Sequence, residues 1–239
     1  MSSTSAAQKF DPARANEYQV QSRIALAGYD ACHELSACML SATLGSEDPA
    51  HILVVGAGGG AQEIVTAAVL GPKWRFTAVD PSEPMMEIAV AQLTQKGLAE
   101  RTQFHLGYVD GLPSSPRFDA ATLFGVLHHQ PGDEAKHQLL SSIASRLAPG
   151  APLILAGNRY SYASQPLLLS AWGERWRMQG ATPDEVQAKL GKILQGADPP
   201  ASEDTVAELL AAAGFEPPCW FFSSLFWGAC VARRARPGV

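Results

Sequence analysis

Between His51 and Ala156 the chain alternates short apolar runs with helical stretches, and this alternation limits the fold more than any other feature. His51–Val55, Arg75–Val79, Gln103–Leu106, Phe118–Phe124 and Pro152–Ala156 are short and rich in apolar, often branched side chains, the pattern of strands buried in a sheet. The stretches between them, Ala61–Leu70, Pro84–Lys96 and Asp133–Leu147, read as helices, and Gly71-Pro72, Gly97 and Pro149-Gly150 stop them. Strands separated by single helices must run parallel, and right-handed crossovers then give an α/β, doubly wound sheet.

The flanks differ. Residues 1–9 read as a loose end. Asp11–Leu44 is helical, with Leu26, Tyr29, Cys32, His33 or Leu35, Met39 and Leu40 on one face, and it ends in turn residues at Gly45-Ser46-Glu47-Asp48-Pro49. Residues 158–200 break the alternation with helices over about 165–178 and 182–194. Ser202–Ala213 is a further helix with an acidic start, stopped by Gly214. Cys219–Arg233 reads as two strands joined near Ser223-Ser224 or a little later, pairing antiparallel at the sheet edge. The expected organisation is a cap of N-terminal helices over 1–45 and a domain over 46–239 with a helical insertion at about 158–200.

With 46% hydrophobic and 17% charged residues among 239, the chain is a foldable globular one. A net charge of −5 argues against a protein that grips long nucleic acid by its phosphates. No run of apolar residues is long enough for a membrane span, and the start lacks the apolar core of a secretion signal, so a cytoplasmic protein is expected. Cys32, Cys38, Cys219 and Cys230 form no Cys-x-x-Cys pair and have no His at zinc-finger spacing; they are expected as reduced thiols, with no metal bound.

The turn after the first strand is Gly56-Ala57-Gly58-Gly59-Gly60-Ala61. Glycine permits a tight turn and the close approach of a ligand to bare backbone. Asp80 ends the second strand, 24 residues beyond Gly56, where a carboxylate can accept both hydroxyls of a ribose. Together these specify an adenosine-type ligand across the carboxyl ends of the strands. Gly56-x-Gly58-x-x-Ala61 also fits a dinucleotide fold. Asp110-Gly111 after the third strand, Val126-Leu127-His128-His129 after the fourth and Ala213-Gly214-Phe215 before the last two decide against that NAD oxidoreductase reading.

On these motifs the chain resembles the class I S-adenosylmethionine-dependent methyltransferases from about His51 to Arg233. The resemblance implies a Rossmann-like, seven-stranded, mostly parallel sheet with an antiparallel last strand. By position, Gly56, Ala57, Gly58 and Gly60 would line the methionine part of S-adenosylmethionine, Asp80 with Pro81 would hold the ribose, and Asp110 with Gly111 would sit by the adenine. The family's acid two residues before the first glycine is here Val54, which leaves the cofactor's amino group to backbone carbonyls. A closer resemblance, through Ala27-Gly28-Tyr29 and Phe226-Trp227-Gly228, is to the branch containing the carboxy-S-adenosylmethionine synthases of tRNA modification; it implies that Tyr29 touches the cofactor. That branch's carboxylate-binding arginine falls near Leu190 or Gly191, no arginine occurs from Met178 to Ala232, and its strand-four asparagine is Phe124 here, so ordinary methyl transfer is favoured.

Transfer of a methyl from a sulfonium is an in-line displacement that gains from positioning and from a dry site. His128 and His129 are candidate catalytic bases. His33, Arg159, Tyr160, Trp172 and Trp176 are candidates for binding the acceptor, expected to be a small aromatic or apolar metabolite; Arg159 would hold an acidic group or lie at the surface. The product would be S-adenosylhomocysteine. Exposed aromatics in the final strands suggest a homodimer.

Overall fold

The computed structural model describes residues 20–236; the expected loose end at 1–9 lies outside them. Seven strands form one sheet: β1 (His51–Val55), β2 (Arg75–Asp80), β3 (Thr102–Leu106), β4 (Ala120–Phe124), β5 (Pro152–Asn158), β6 (Cys219–Ser224) and β7 (Trp227–Arg233), in the spatial order β3-β2-β1-β4-β5-β7-β6. The first five pair parallel, and β7 pairs antiparallel with both β5 and β6. The last strand thus turns inward, and β6 forms the edge.

Period-two alternation sorts the side chains into two faces. Leu53, Val55, Leu123, Leu153 and Leu155 pack beneath α4 (Gly132–Arg146) and α7 (Glu203–Ala212). Ile52, Val54, Phe76, Ala78 and Ile154 pack beneath α1 (Tyr29–Leu44), α2 (Gln62–Leu70) and α3 (Glu83–Gln95). A slip of one residue in β1 would exchange two apolar cores, so burial on both faces pins the register. In α1 the buried positions are Cys32, His33, Ser36, Ala37 and Leu40, so of the two alternatives His33 faces inward and Leu35 is exposed.

A helical stretch at 20–25 precedes α1, and Gly28, with φ of 80°, makes the break between them. That stretch docks on α5 (Pro166–Met178) and α6 (Pro183–Gly196). Trp172 Nε1 donates to Ala25 O at 2.8 Å, Arg175 Nε donates to Ile24 O at 3.0 Å, and Lys189 Nζ donates to Gln21 Oε1 at 3.2 Å. Two segments distant in sequence therefore close one roof over the carboxyl ends of the strands. α6 starts on a capping box in which Thr182 and Glu185 satisfy each other's backbone N–H. The final-strand aromatics expected to be exposed are packed within the chain: Trp220 lies against one face's core, Phe221, Phe222 and Trp227 against the other, and Phe226 is fully buried. No described helix is long and apolar enough to cross a membrane.

Candidate active site

Two connected cavities lie beyond the carboxyl ends of the strands, where the order of a doubly wound sheet reverses and such folds bind ligands. The larger, about 410 Å³, has Gly56, Gly58 and Gly59 on one side, Tyr29 and His33 of α1 above, and Phe124, His128, Asn158, Tyr162, Trp172, Trp176 and Trp227 on its remaining walls. The smaller, about 240 Å³, runs past Val79, Asp80, Pro81, Met85, Tyr108, Asp110 and Ser142. Gly56, Gly58, Phe124, Gly125 and His129 line both. The combined space suits a ligand with one polar, sugar-like end and a second molecule beside it.

Asp80 is 8% exposed and is braced by the turn it serves. Gly58 N–H donates to Oδ2 and Ser82 N–H to Oδ1, each at 2.9 Å. Burial raises its pKa from the usual value against those two hydrogen bonds. Each oxygen keeps a further lone pair, so the carboxylate can still accept two hydroxyls. At Gly58 a Cβ would lie 2.5 Å from both Asp80 Oδ2 and Met85 Cβ; at Gly56, with φ of 77°, it would lie 2.2 Å from Val126 Cγ2. These glycines are required by the protein's own packing, before any ligand approaches.

Asp110 also lies on the smaller cavity's wall. Its carboxylate accepts from Ser142 Oγ and sits 3.9 Å from Arg146 Nη1. Ala57, Gly60 and Gly111, expected on the cofactor path, line neither cavity. Ala57 is buried with its N–H on Val79 O at 3.1 Å. Gly111 backs onto His105, which a Cβ would approach to 3.0 Å. Gly59 takes the wall position in place of Gly60.

The histidines are differentiated by their surroundings. His33 stacks on Phe124 at 4.7 Å, and burial lowers its pKa to about 4 against the hydrogen bond to Tyr29 O. Because a carbonyl only accepts, Nδ1 carries the proton in that 2.8 Å bond and the neutral ring turns Nε2 outward as an acceptor. His128 and His129 occupy one short 3₁₀ turn, Leu127–His129, with ring centroids 4.4 Å apart. Asn158 N–H points at His128 Nδ1 at 3.5 Å, so a neutral His128 carries its proton on Nε2. Asp198 N–H donates to His128 O at 2.7 Å, and Asp198 pairs with the buried Lys136 at 3.1 Å, which ties this turn to the roof.

Glu63, on the first turn of α2, was not anticipated as a site residue. It faces the larger cavity, and burial lifts its pKa from 4.5 to about 7, partly offset by its own backbone N–H and assisted by the charge of Asp80. The folded chain therefore holds this proton to higher pH than the unfolded chain does. The stability it contributes is full below about pH 4.5 and is lost as pH rises towards 7. Glu63→Gln is expected to be more stable than the parent at pH 8 by about 1–2 kcal/mol and nearly equal at pH 5, measured by urea unfolding.

Arg159 and Tyr160, expected at the acceptor's mouth, are elsewhere. Arg159 is 5% exposed, beneath the β6–β7 hairpin, with Nη1 donating to Trp227 O at 3.1 Å, Nη2 to Ser223 Oγ at 2.7 Å, and Nε 2.9 Å from Glu203 Oε1. Tyr160 donates to the same Glu203 carboxylate at 2.9 Å. Neither lines a cavity. Their partners lie more than forty residues away, and nothing local in the sequence announces them. Tyr162, read with Trp172 and Trp176 as a candidate wall of an aromatic pocket, lines the larger cavity, whereas Asn158 and Trp227 are wall residues that the sequence reading did not single out.

Residues 52–150 match a family described as "Methyltransferase domain". A demethylmenaquinone methyltransferase of Lactiplantibacillus plantarum is 32% identical over 124 residues, 52% of this chain and 50% of that protein, so the chain spans about half the length of the curated relative it matches. Human N-acetylserotonin methyltransferase, solved in complex with S-adenosylmethionine, superposes with a TM-score of 0.66 at 19% identity, covering 95% of this chain and 57% of that one. An O-methyltransferase family 2 protein from Planctomyces limnophilus, complexed with apigenin, gives 0.61 at 19% identity over 80% of this chain and 51% of that one. The [4+2]-cyclase SpnF gives 0.60 at 18% identity over 84% and 81%. The shared fold thus carries more than one reaction, and activity has to be argued from the site. The chain has the Rossmann-like fold of the methyltransferases, and residues 52–150 of it, which contain the glycine turn and Asp80, are similar in sequence to a methyltransferase domain.

Proposed function

We propose that this chain is an S-adenosylmethionine-dependent methyltransferase whose acceptor is a small aromatic or apolar metabolite. The observation that carries the reading is the pair of cavities meeting at Gly56 and Gly58, with Asp80 braced at one end and aromatic walls at the other. Asp80 takes the ribose hydroxyls, Asp110 lies by the adenine, and backbone at Gly56, Gly58 and Gly59 receives the amino-acid end. Glu63 supplies, on the same wall, the carboxylate that Val54 does not.

When bound, S-adenosylmethionine supplies an electrophilic methyl group. Tyr29, His33, Phe124 and the three indoles hold the acceptor against a largely apolar wall, and orientation there accounts for much of the rate. For an acceptor that loses a proton, His129 is the candidate base, because His128 presents Nε2–H as a donor. The carboxylated-cofactor reading wants an arginine near residue 190, and the sequence has none from 178 to 232; Lys189 and Lys192 line the cavity there instead.

Calorimetric titration decides the donor. S-adenosylmethionine and S-adenosylhomocysteine should both bind, and NADH should not. Absence of heat with both sulfur nucleosides would end this reading.

A further inference from the structure

The chamber's aromatic walls carry unmet hydrogen-bonding capacity. Asn158 is 5% exposed at the last position of β5, opposite Trp227 of β7. Its Nδ2 donates to Tyr162 Oη at 2.7 Å, and Oδ1 is buried without a partner. Nε1 of Trp176 and of Trp227 are likewise buried without partners, whereas Trp172 Nε1 is satisfied by Ala25 O. Asn158, Tyr162, Trp172, Trp176 and Trp227 line the same cavity.

A buried carbonyl oxygen left unpaired is costly, and native proteins keep few of them. Here one acceptor and two donors, all buried, belong to residues on the aromatic side of a cavity whose other walls carry Glu63, Lys189 and Lys192. A hydroxyl on an aromatic ring answers that set: its proton goes to Asn158 Oδ1, and its oxygen keeps lone pairs for an indole N–H. A plain hydrocarbon would leave all three unpaired.

We propose that Asn158, held in place by Tyr162, recognises a hydroxyl of the acceptor, so that the acceptor class is a hydroxylated aromatic molecule. This rests on the larger cavity being the acceptor chamber of the proposed methyltransferase. Asn158 acts in specificity and Tyr162 in positioning its amide.

The test compares three probes by equilibrium dialysis against the full chain, with and without S-adenosylhomocysteine: 2-naphthol, 2-methoxynaphthalene and naphthalene. Naphthol and its methyl ether share the oxygen and differ in the proton. The parent chain should bind naphthol about tenfold or more tightly than either of the others. Asn158→Leu should lose that preference while still binding naphthalene, and Tyr162→Phe should reduce it. Equal binding of naphthol and its ether by the parent overturns the proposal, as does an undiminished preference in folded Asn158→Leu. Should Asn158→Leu fail to fold, a full preference retained by Tyr162→Phe overturns the pairing. S-adenosylhomocysteine binding is read separately, so failure of the methyltransferase reading is distinguishable from failure of this one.

Discussion

Asp80→Ala is expected to weaken S-adenosylmethionine binding by about 100-fold or more, with a far smaller loss of folding stability. Two hydrogen bonds donated by ribose hydroxyls to a charged carboxylate contribute together about 3 kcal/mol or more, and each 1.4 kcal/mol is tenfold in affinity. The carboxylate also accepts Gly58 and Ser82 N–H, so part of the loss would come from a loosened turn. Asp80→Asn separates the two effects poorly, because its NH₂ would face one of those donors; alanine is the cleaner change. The measurement is calorimetric titration beside a thermal melt without ligand. An affinity within threefold of the parent's would mean that Asp80 only braces the glycine turn, and the sugar would have to bind elsewhere.

The layers of the fold were legible because they depend on local pattern. Apolar runs of five or six residues between helical stretches leave few alternatives, and all five strands expected in the parallel block are present. Boundaries were less legible where a turn signal sits inside an element. The apolar run of the fifth strand ends at Ala156, but pairing of Gly157 and Asn158 with Gly228 and Trp227 carries β5 on to Asn158. That extension of two residues places Asn158 and Tyr162 on the cavity. The positions of the turn glycines were legible, but the reason was incomplete: a ligand needs bare backbone, yet Val126, Met85 and Asp80 fill the space at Gly56 and Gly58 first. The roof was legible only as two helical segments. Nothing in the order of residues says that 20–25 meets α5 and α6, because Trp172 to Ala25 and Arg175 to Ile24 are contacts across about 150 residues.

Arg159 illustrates the same limit and carries the second large expected effect. Arg159→Met should cost about 2 kcal/mol or more of folding stability, since the buried guanidinium donates to Trp227 O and Ser223 Oγ, while its ionic partner Glu203 is 37% exposed and adds less. The methyl thioether keeps much of the stem's volume but leaves Trp227 O and Ser223 Oγ without their donor and Glu203 without its cation. The guanidinium also lies 5.0 Å from the Tyr160 ring centroid and 5.5 Å from that of Trp220, so lysine, a point charge without the planar fork, should recover only part of the loss. Gly228 belongs to the same arrangement, because a Cβ there would lie 2.0 Å from Nη1. Urea unfolding measures the stability. Titration of the folded variant with S-adenosylhomocysteine should give an affinity within about twofold of the parent's, since Arg159 touches neither cavity. A stable variant with weakened ligand binding would instead return Arg159 to the pocket mouth, where its place after β5 first suggested it.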